Sequence, residues 1–211
     1  MDDYTNKIDK NLFNLIQKIE NPIILELGVQ GGLSTKKFIE TCNKNNGFLY
    51  SVDIDDCSNV SSDKKWSFIQ SRDDNFEFIK SKIPKKIDIL YIDSLHEAKH
   101  VSKIIYGYYD LLNVGGIIFI DDISHLPYVK NGIRNNFYCE INNQETFDML
   151  LEIYFSNYDR IDLNFSFESS GLAIIKKKTD KFLDQKIKIK SRKFSIKNQI
   201  RKFIQIFRKR I

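Results

Sequence analysis

The sequence predicts an α/β protein built on a doubly wound sheet of about seven strands, with five parallel βα units closed by an antiparallel C-terminal hairpin. Three observations carry this. Short, mostly apolar runs at 23–27, 48–52, 66–70, 87–92 and 117–120 do not alternate apolar with polar residues, as expected of parallel strands covered on both faces. Stretches with helical spacing separate the runs. The last two, 160–167 and 172–175, are joined only by Glu168-Ser169-Ser170-Gly171, a link too short for anything but a hairpin.

Taken in order, Ile8, Leu12, Leu15, Ile16 and Ile19 recur every three or four residues, which predicts an amphipathic helix over 4–20 stopped by Pro22. The first strand then ends at Gly28, and a helix of about ten residues should start near Ser34. The second run ends at Asp53 and the third at Gln70, with a helix over 75–79 after it. The fourth ends at Asp93, a helix should fill about 97–112, and Gly115-Gly116 should turn the chain into the fifth run, which ends at Asp121-Asp122. A loop with Pro127 and Gly132, a helix over 145–155 and the hairpin complete the body. Five such units are too few for an eight-stranded barrel.

With 211 residues, the chain can bury one sizeable core but not two full domains. The expected division is a body of 1–178 and a tail of 179–211. From Lys176 onward, fifteen Lys/Arg face only Asp180 and Asp184, a net of +13. The rest carries 18 basic against 26 acidic residues, or −8, so the overall +5 describes neither part. Cys42, Cys57 and Cys139 are odd in number and lack CxxC or Cys/His ligand spacing, which argues for a reducing, cytoplasmic setting. The opening residues have neither a basic nor an apolar signal region, and no apolar run approaches the roughly 18 residues of a membrane span.

In open α/β sheets ligands bind beyond the carboxyl ends of the strands, which directs attention to four groups. The segment 26–34, Glu-Leu-Gly-Val-Gln-Gly-Gly-Leu-Ser, can bring backbone N–H groups to a ligand; the plain alternative is a tight turn with Ser34 as helix N-cap. Asp53, about twenty residues past the glycines, can accept both hydroxyls of a ribose, or can be a solvated turn acid beside Asp55 and Asp56. Together these suit a dinucleotide or S-adenosylmethionine. Asp93 with His96, and Asp121-Asp122, should converge at the sheet edge, where like charges call for a cation; hard oxygen ligands suit Mg²⁺, Mn²⁺ or Ca²⁺. Alternatively Asp121 or Asp122 caps the next helix and His96 merely starts one.

Glu26-x-Gly28-x3-Gly32-x-Ser34-Thr35, Asp53, Tyr91-Ile92-Asp93-Ser94-Leu95-His96, and 111–116 running into Asp121-Asp122 resemble the class I S-adenosylmethionine-dependent methyltransferases. The resemblance, over roughly 20–177, is greatest to the metal-dependent O-methyltransferase branch that includes macrolide-sugar and catechol methyltransferases. It implies a Rossmann-like fold in which Gly28 and Gly32 approach the methionine part of S-adenosylmethionine, Glu26 and Ser34 support that loop, and Asp53 holds the ribose. Asp93 would border both cofactor and reaction centre. Asp93, Asp121 and Asp122 match the metal-binding positions, and His96 matches the general base of the sugar-modifying branch. Ser71-Arg72 stands where the family often has Gly-Asp near the adenine, and Leu95 replaces a more usual polar residue. The implied reaction is attack of a hydroxyl, on a small molecule or glycan precursor, on the cofactor's methyl group. His100 and His125 are weaker candidates for a catalytic part.

Two other readings stand beside this one. A nicotinamide oxidoreductase would need a compact G-x-G-x-x-G, and the third residue from Gly28 is Gln30. A non-catalytic nucleotide-binding adaptor would act through its tail. Residues 195–211 read as an amphipathic helix with a basic face, suited to an anionic membrane surface, on whose inner side the protein would be peripheral. Docking on the acidic body or in a homodimer is the alternative; nucleic acid is not expected, since the body is acidic and no RNA-binding motif is present.

Overall fold

The computed structural model of the chain describes residues 7–125, 137–190 and 195–208, apart from the side chains of 137–139 and 206–208. The start of the leading helix, the loop with Pro127 and Gly132, the Cys139 side chain and the last three tail residues therefore lie outside the described residues. The strands are β1 (Ile23–Leu27), β2 (Phe48–Asp53), β3 (Trp66–Gln70), β4 (Ile87–Ile92), β5 (Leu112–Asp121), β6 (Ile161–Ser166) and β7 (Leu172–Lys177). They form one sheet in the order β3-β2-β1-β4-β5-β7-β6. Strands β1 to β5 are parallel, and β7 runs antiparallel to both β5 and β6.

The expected hairpin forms, and its later strand is the one inserted against β5. Side chains explain the choice: in β7, Leu172, Ala173 and Ile175 are buried, whereas β6 buries only Ile161 fully and alternates afterwards. A strand apolar on both faces needs cover on both, and the alternating one can stand at the edge.

The chain enters through a helical Lys7 and Ile8 and π-helical turns (Asp9–Phe13), then α1 (Asn14–Ile16). The remaining helices are α2 (Leu33–Asn45), α3 (Phe76–Lys82), α4 (Ala98–Tyr108), α5 (Phe137–Asn157) and α6 (Ile196–Arg208). Two apolar cores lie on opposite sheet faces. Ile24, Leu49, Ile89, Tyr91 and Phe119 pack with Phe38 and Cys42 of α2 and with Ile8, Leu12 and Ile16. Leu25, Leu27, Leu90, Ile92, Ile118 and Ile120 pack with Val101, Ile104 and Tyr108 of α4 and with Leu150 and Ile153 of α5. Neighbours along a strand thus enter different cores, which is why the runs are continuously apolar.

Three boundaries differ from expectation. The leading helix stops at Ile16, well before Pro22, because the Asn45 side-chain amide takes the carbonyls of Gln17 and Ile19 and the chain turns through Asn21 at φ +51°. Helix α4 ends at Tyr108 rather than 112. Gly115-Gly116 lies inside β5 instead of turning into it: the register passes from Ile87↔Leu112 to Ile89↔Ile117, so the extra β5 residues bulge, with Gly115 at φ +85°. Past β7 the chain stays on the body beyond residue 178, with Arg160 on Asp184 at 2.7 Å and the Ile187 N–H on Ser156 Oγ at 3.0 Å. Among the described residues no helix is long and apolar enough to cross a membrane.

The tightest approach in the sheet is at the ends of β1 and β4. The Gly28 N–H donates to the Val52 carbonyl and the Asp93 N–H to the Leu27 carbonyl, both at 2.9 Å. At φ +99°, a Cβ on Gly28 would stand 1.9 Å from the Asp93 carbonyl oxygen. No side chain fits there without parting two central strands. Gly28→Ala is therefore expected to cost about 3 kcal/mol or more, as a lowered urea midpoint in equilibrium unfolding; an unchanged midpoint would contradict this packing.

Candidate active site

Beyond β1 the chain moves outward to β2 and β3, then crosses back to β4, so the loops following β1 and β4 diverge and leave a crevice. The crevice is a cleft of about 860 Å³ lined by Gly28, Ser34, Asp53, Ser71, Asp93, His96, Asp121 and Asp122, among others. Eight of the expected site residues thus share one cavity. The other two, Glu26 and Gly32, support its floor from behind.

Glu26 is fully buried on β1. It accepts the hydroxyls of Ser34 (2.6 Å), Thr35 (2.8 Å) and Ser51 (2.6 Å), tying the first turn of α2 to the strands beneath it. Ser51 in turn accepts the Trp66 indole N–H at 2.9 Å. Burial pushes the Glu26 carboxyl up to about 7, although the three hydroxyls pull the other way. Ser34 is not the helix cap: Gly32 occupies that place at φ +72°, with Val60 where a side chain would go. Ser34 faces inward because the loop needs an anchor to Glu26 more than a cap. Native Glu26 keeps a proton that the unfolded chain releases, so it makes stability fall as pH rises from about 4.5 to about 7. Urea titrations of wild type and Glu26→Gln at about pH 5 and about pH 8 should show the larger loss in wild type; equal losses would mean that Glu26 does not titrate in that window.

Asp53 is neither bare nor simply solvated. One carboxylate oxygen accepts the N–H groups of Val29 (2.8 Å) and Gln30 (3.1 Å), and the other accepts that of Asp55 (3.1 Å). Partial burial pushes this carboxyl up, but the backbone donors outweigh it and hold it below the ordinary range. Gln30 reaches its place at φ +46°. Ser71 lines the cleft beside Arg72, whose guanidinium turns away to Asp74 at 3.0 Å. Asp73, which nothing in the sequence marked, joins the loops after β3 and β4 by accepting Ser94 Oγ at 2.6 Å and meeting His100 Nε2 at 2.8 Å. His100 is therefore occupied, and His125 packs on Phe147 with ring centres 4.7 Å apart, away from the cleft.

At the far end of the cleft stand the acids. Tyr91 Oη lies 3.1 Å from Asp93 Oδ2 and 3.0 Å from Asp121 Oδ2, and its single proton can serve only one at a time. Burial, then the neighbouring Asp121 and Asp122 charges, push the Asp93 carboxyl up to about 6, opposed by His96. Asp121 is buried, and the ammonium of Lys7, itself fully buried, sits on its Oδ1, which also accepts the Asp122 N–H at 2.8 Å; Ser170 Oγ is 2.7 Å from the same ammonium. His96 Nε2 stands between two acids, 3.5 Å from Asp93 Oδ1 and 3.7 Å from Asp122 Oδ2. Helix α4 starts two residues later, so His96 belongs to the loop.

The expected convergence of three carboxylates is thus partly met. Successive strand-end residues leave on opposite sides, so Asp121 points inward while Asp122, at φ +58°, turns out toward His96. Among the described residues no three Asp, Glu, His or Cys side chains gather closely enough to hold a metal ion as arranged. Of the three carboxylates, Asp121 already meets a cation, the Lys7 ammonium, and all three offer the hard oxygens that a divalent ion takes. Lys7 escaped the sequence reading because nothing in an amphipathic helix distinguishes a lysine at the margin of its apolar stripe from a solvated one.

Residues 25–123 match a protein-family profile described as a methyltransferase domain. No curated protein sequence matches the chain. Among solved structures, MycE methyltransferase of the mycinamycin biosynthetic pathway, in complex with Mg, SAH and mycinamycin VI, superposes with a TM-score of 0.61 at 20% identity, over 84% of this chain and 50% of that one. The chain therefore spans about half the length of MycE. A Staphylococcus aureus protein provisionally assigned as a caffeoyl-CoA O-methyltransferase gives 0.61 at 20% identity over 84% of both chains. SAH-bound Podospora anserina methyltransferase PaMTH1 gives 0.60 at 16% identity over 79% of this chain and 76% of that one. At these identities the likeness carries the fold alone, a seven-stranded sheet shared with these methyltransferases, while the methyltransferase-domain profile matches residues 25–123 of the 211.

Proposed function

We propose that the chain is an S-adenosylmethionine-dependent O-methyltransferase acting on a hydroxyl of a small molecule or glycan precursor. The observation that carries this reading is the union, in one cleft, of a glycine loop with its Asp53 carboxylate and an imidazole held between two acids. SAH in MycE and PaMTH1, and the macrolide in MycE, support a cofactor and an acceptor of these classes. The sugar-like acceptor rests on the resemblance to the macrolide-sugar branch.

S-adenosylmethionine, when bound, supplies an electrophilic methyl group on a sulfonium. The chain's part is to hold and orient it: the loop 28–34 for the methionine end, Asp53 for the ribose hydroxyls, and Ile54 and Leu33, both exposed at the cleft, for apolar faces beside them. His96 is the group to take the acceptor's proton, because an imidazole can be neutral near pH 7 and the imidazolium formed would lie beside Asp93 and Asp122. Asp93, Asp121 and Asp122 are the residues that would hold a divalent ion such as Mg²⁺, which supplies Lewis-acid activation of a hydroxyl.

Calorimetric titration with S-adenosylmethionine and with NAD, each with and without Mg²⁺, tests the cofactor. Binding of S-adenosylmethionine and not NAD is expected; the reverse would return the oxidoreductase reading. His96→Ala should lower methyl transfer by about 10²–10⁴ while leaving S-adenosylmethionine affinity unchanged, and full activity would remove His96 from the mechanism. Lys7→Met strands a buried carboxylate and should cost about 3–5 kcal/mol in unfolding titrations. Added Mg²⁺ should restore more stability to this variant than to wild type. Were Mg²⁺ to leave the variant unchanged, these acids would not be its site.

A further inference from the structure

Helix α6 turns its apolar side chains to solvent. Ile196, Ile200, Phe203 and Ile204 are 80%, 55%, 62% and 46% exposed. With about 100° between successive residues they fall on one stripe, which the sequence spacing of Phe207 continues. Lys197, Arg201 and Arg208 follow one margin of that stripe by position and Ile206 the other, with Lys202, Asn198 and Gln205 opposite. From Gln185 to Ile211 there is no acidic residue. The chain leading to the helix is fixed to the body as far as Ile187, by Lys186 on Glu152 at 2.5 Å and the Ile187 N–H on Ser156, so the helix is carried on a short tether.

We propose that α6 lies in the plane of an anionic phospholipid surface and holds the catalytic body against it. The described side chains of the stripe remain 46–80% exposed, an apolar area that suits burial in a lipid surface. A row of cations along one margin, with Lys202 on the polar face, suits a headgroup layer: the marginal stems lie along the apolar zone while their charged ends reach phosphates. A nucleic acid would use the cations and leave the stripe bare. Residues 1–187, with 23 basic against 28 acidic residues, carry −5 and are repelled by the surface that attracts 188–211, which carry +10, and this orients the protein tail-down. The proposal is independent of the chemistry assigned to the cleft.

The full chain would be sedimented with vesicles of phosphatidylcholine alone and with added phosphatidylglycerol. Binding to the anionic vesicles only, weakened by salt, is expected. The double variant Ile200→Glu, Phe203→Glu should lose binding. Lys197→Gln, Arg201→Gln, Lys202→Gln together should weaken it on the order of 100-fold. Both should melt as wild type does, since the altered side chains are exposed. No binding to anionic vesicles, equal binding to neutral ones, or binding unchanged by the Ile200/Phe203 variant would overturn the proposal. So would self-association without vesicles that this variant abolishes, or RNA binding that it leaves intact while vesicles do not bind.

Discussion

The structure turns on the contact between Gly28 and the carbonyl of Asp93, where two parallel strands that leave in different directions run as close as backbone can. Everything functional radiates from that point. The loop after β1 bears the backbone donors that hold Asp53, and the loop after β4 bears Asp93 and His96. Because the two strands are hydrogen-bonded neighbours, the glycine-loop side and the acid side of the cleft are fixed relative to each other by the sheet itself. Mobile segments are not needed to bring them together.

Around this point the protein buries Glu26 and Asp121, half-buries Asp93, and treats each of the three acids differently. Glu26 faces only hydroxyl donors, and burial favours its protonated form. Asp93 shares the Tyr91 hydroxyl with a neighbour of its own charge. Asp121 has a full cation, brought from the opposite end of the chain by Lys7. In a low dielectric the cost of an ion depends on what answers it. The gradient from hydroxyls to imidazole to ammonium runs from the floor of the cleft to its acid-lined end.

Much of this was legible in the sequence. Four of the five apolar runs located their strands to within a residue, because continuous hydrophobicity follows directly from burial on both sheet faces; the fifth, 117–120, marked only the last part of β5, which starts at Leu112. Only the glycines of β5 misled there: Gly115-Gly116 has the composition of a turn and the structure of a bulge. Strand-end acids pointed to the cleft by topology alone. Their partners were not legible, since Lys7, Tyr91 and Asp73 act through contacts between residues far apart in sequence, with side-chain chemistry that is unremarkable locally. The place of β7 inside the sheet was likewise invisible to any rule about adjacent strands, although its two-faced apolar pattern held the reason.

The pairing of Lys7 with Asp121 and Ser170 also has a history within each molecule's synthesis. Lys7 emerges from the ribosome first, Asp121 follows more than a hundred residues later, and Ser170 later still. Until β7 emerges, β5 is an open sheet edge, and the helix that delivers Lys7 has only part of its seat. Contacts of such long separation close late and slowly. The acid-lined end of the cleft thus depends on residues from the start, middle and end of the body, so a chain cut before Ser170 carries the glycine loop without the contact that completes the Lys7–Asp121 cluster.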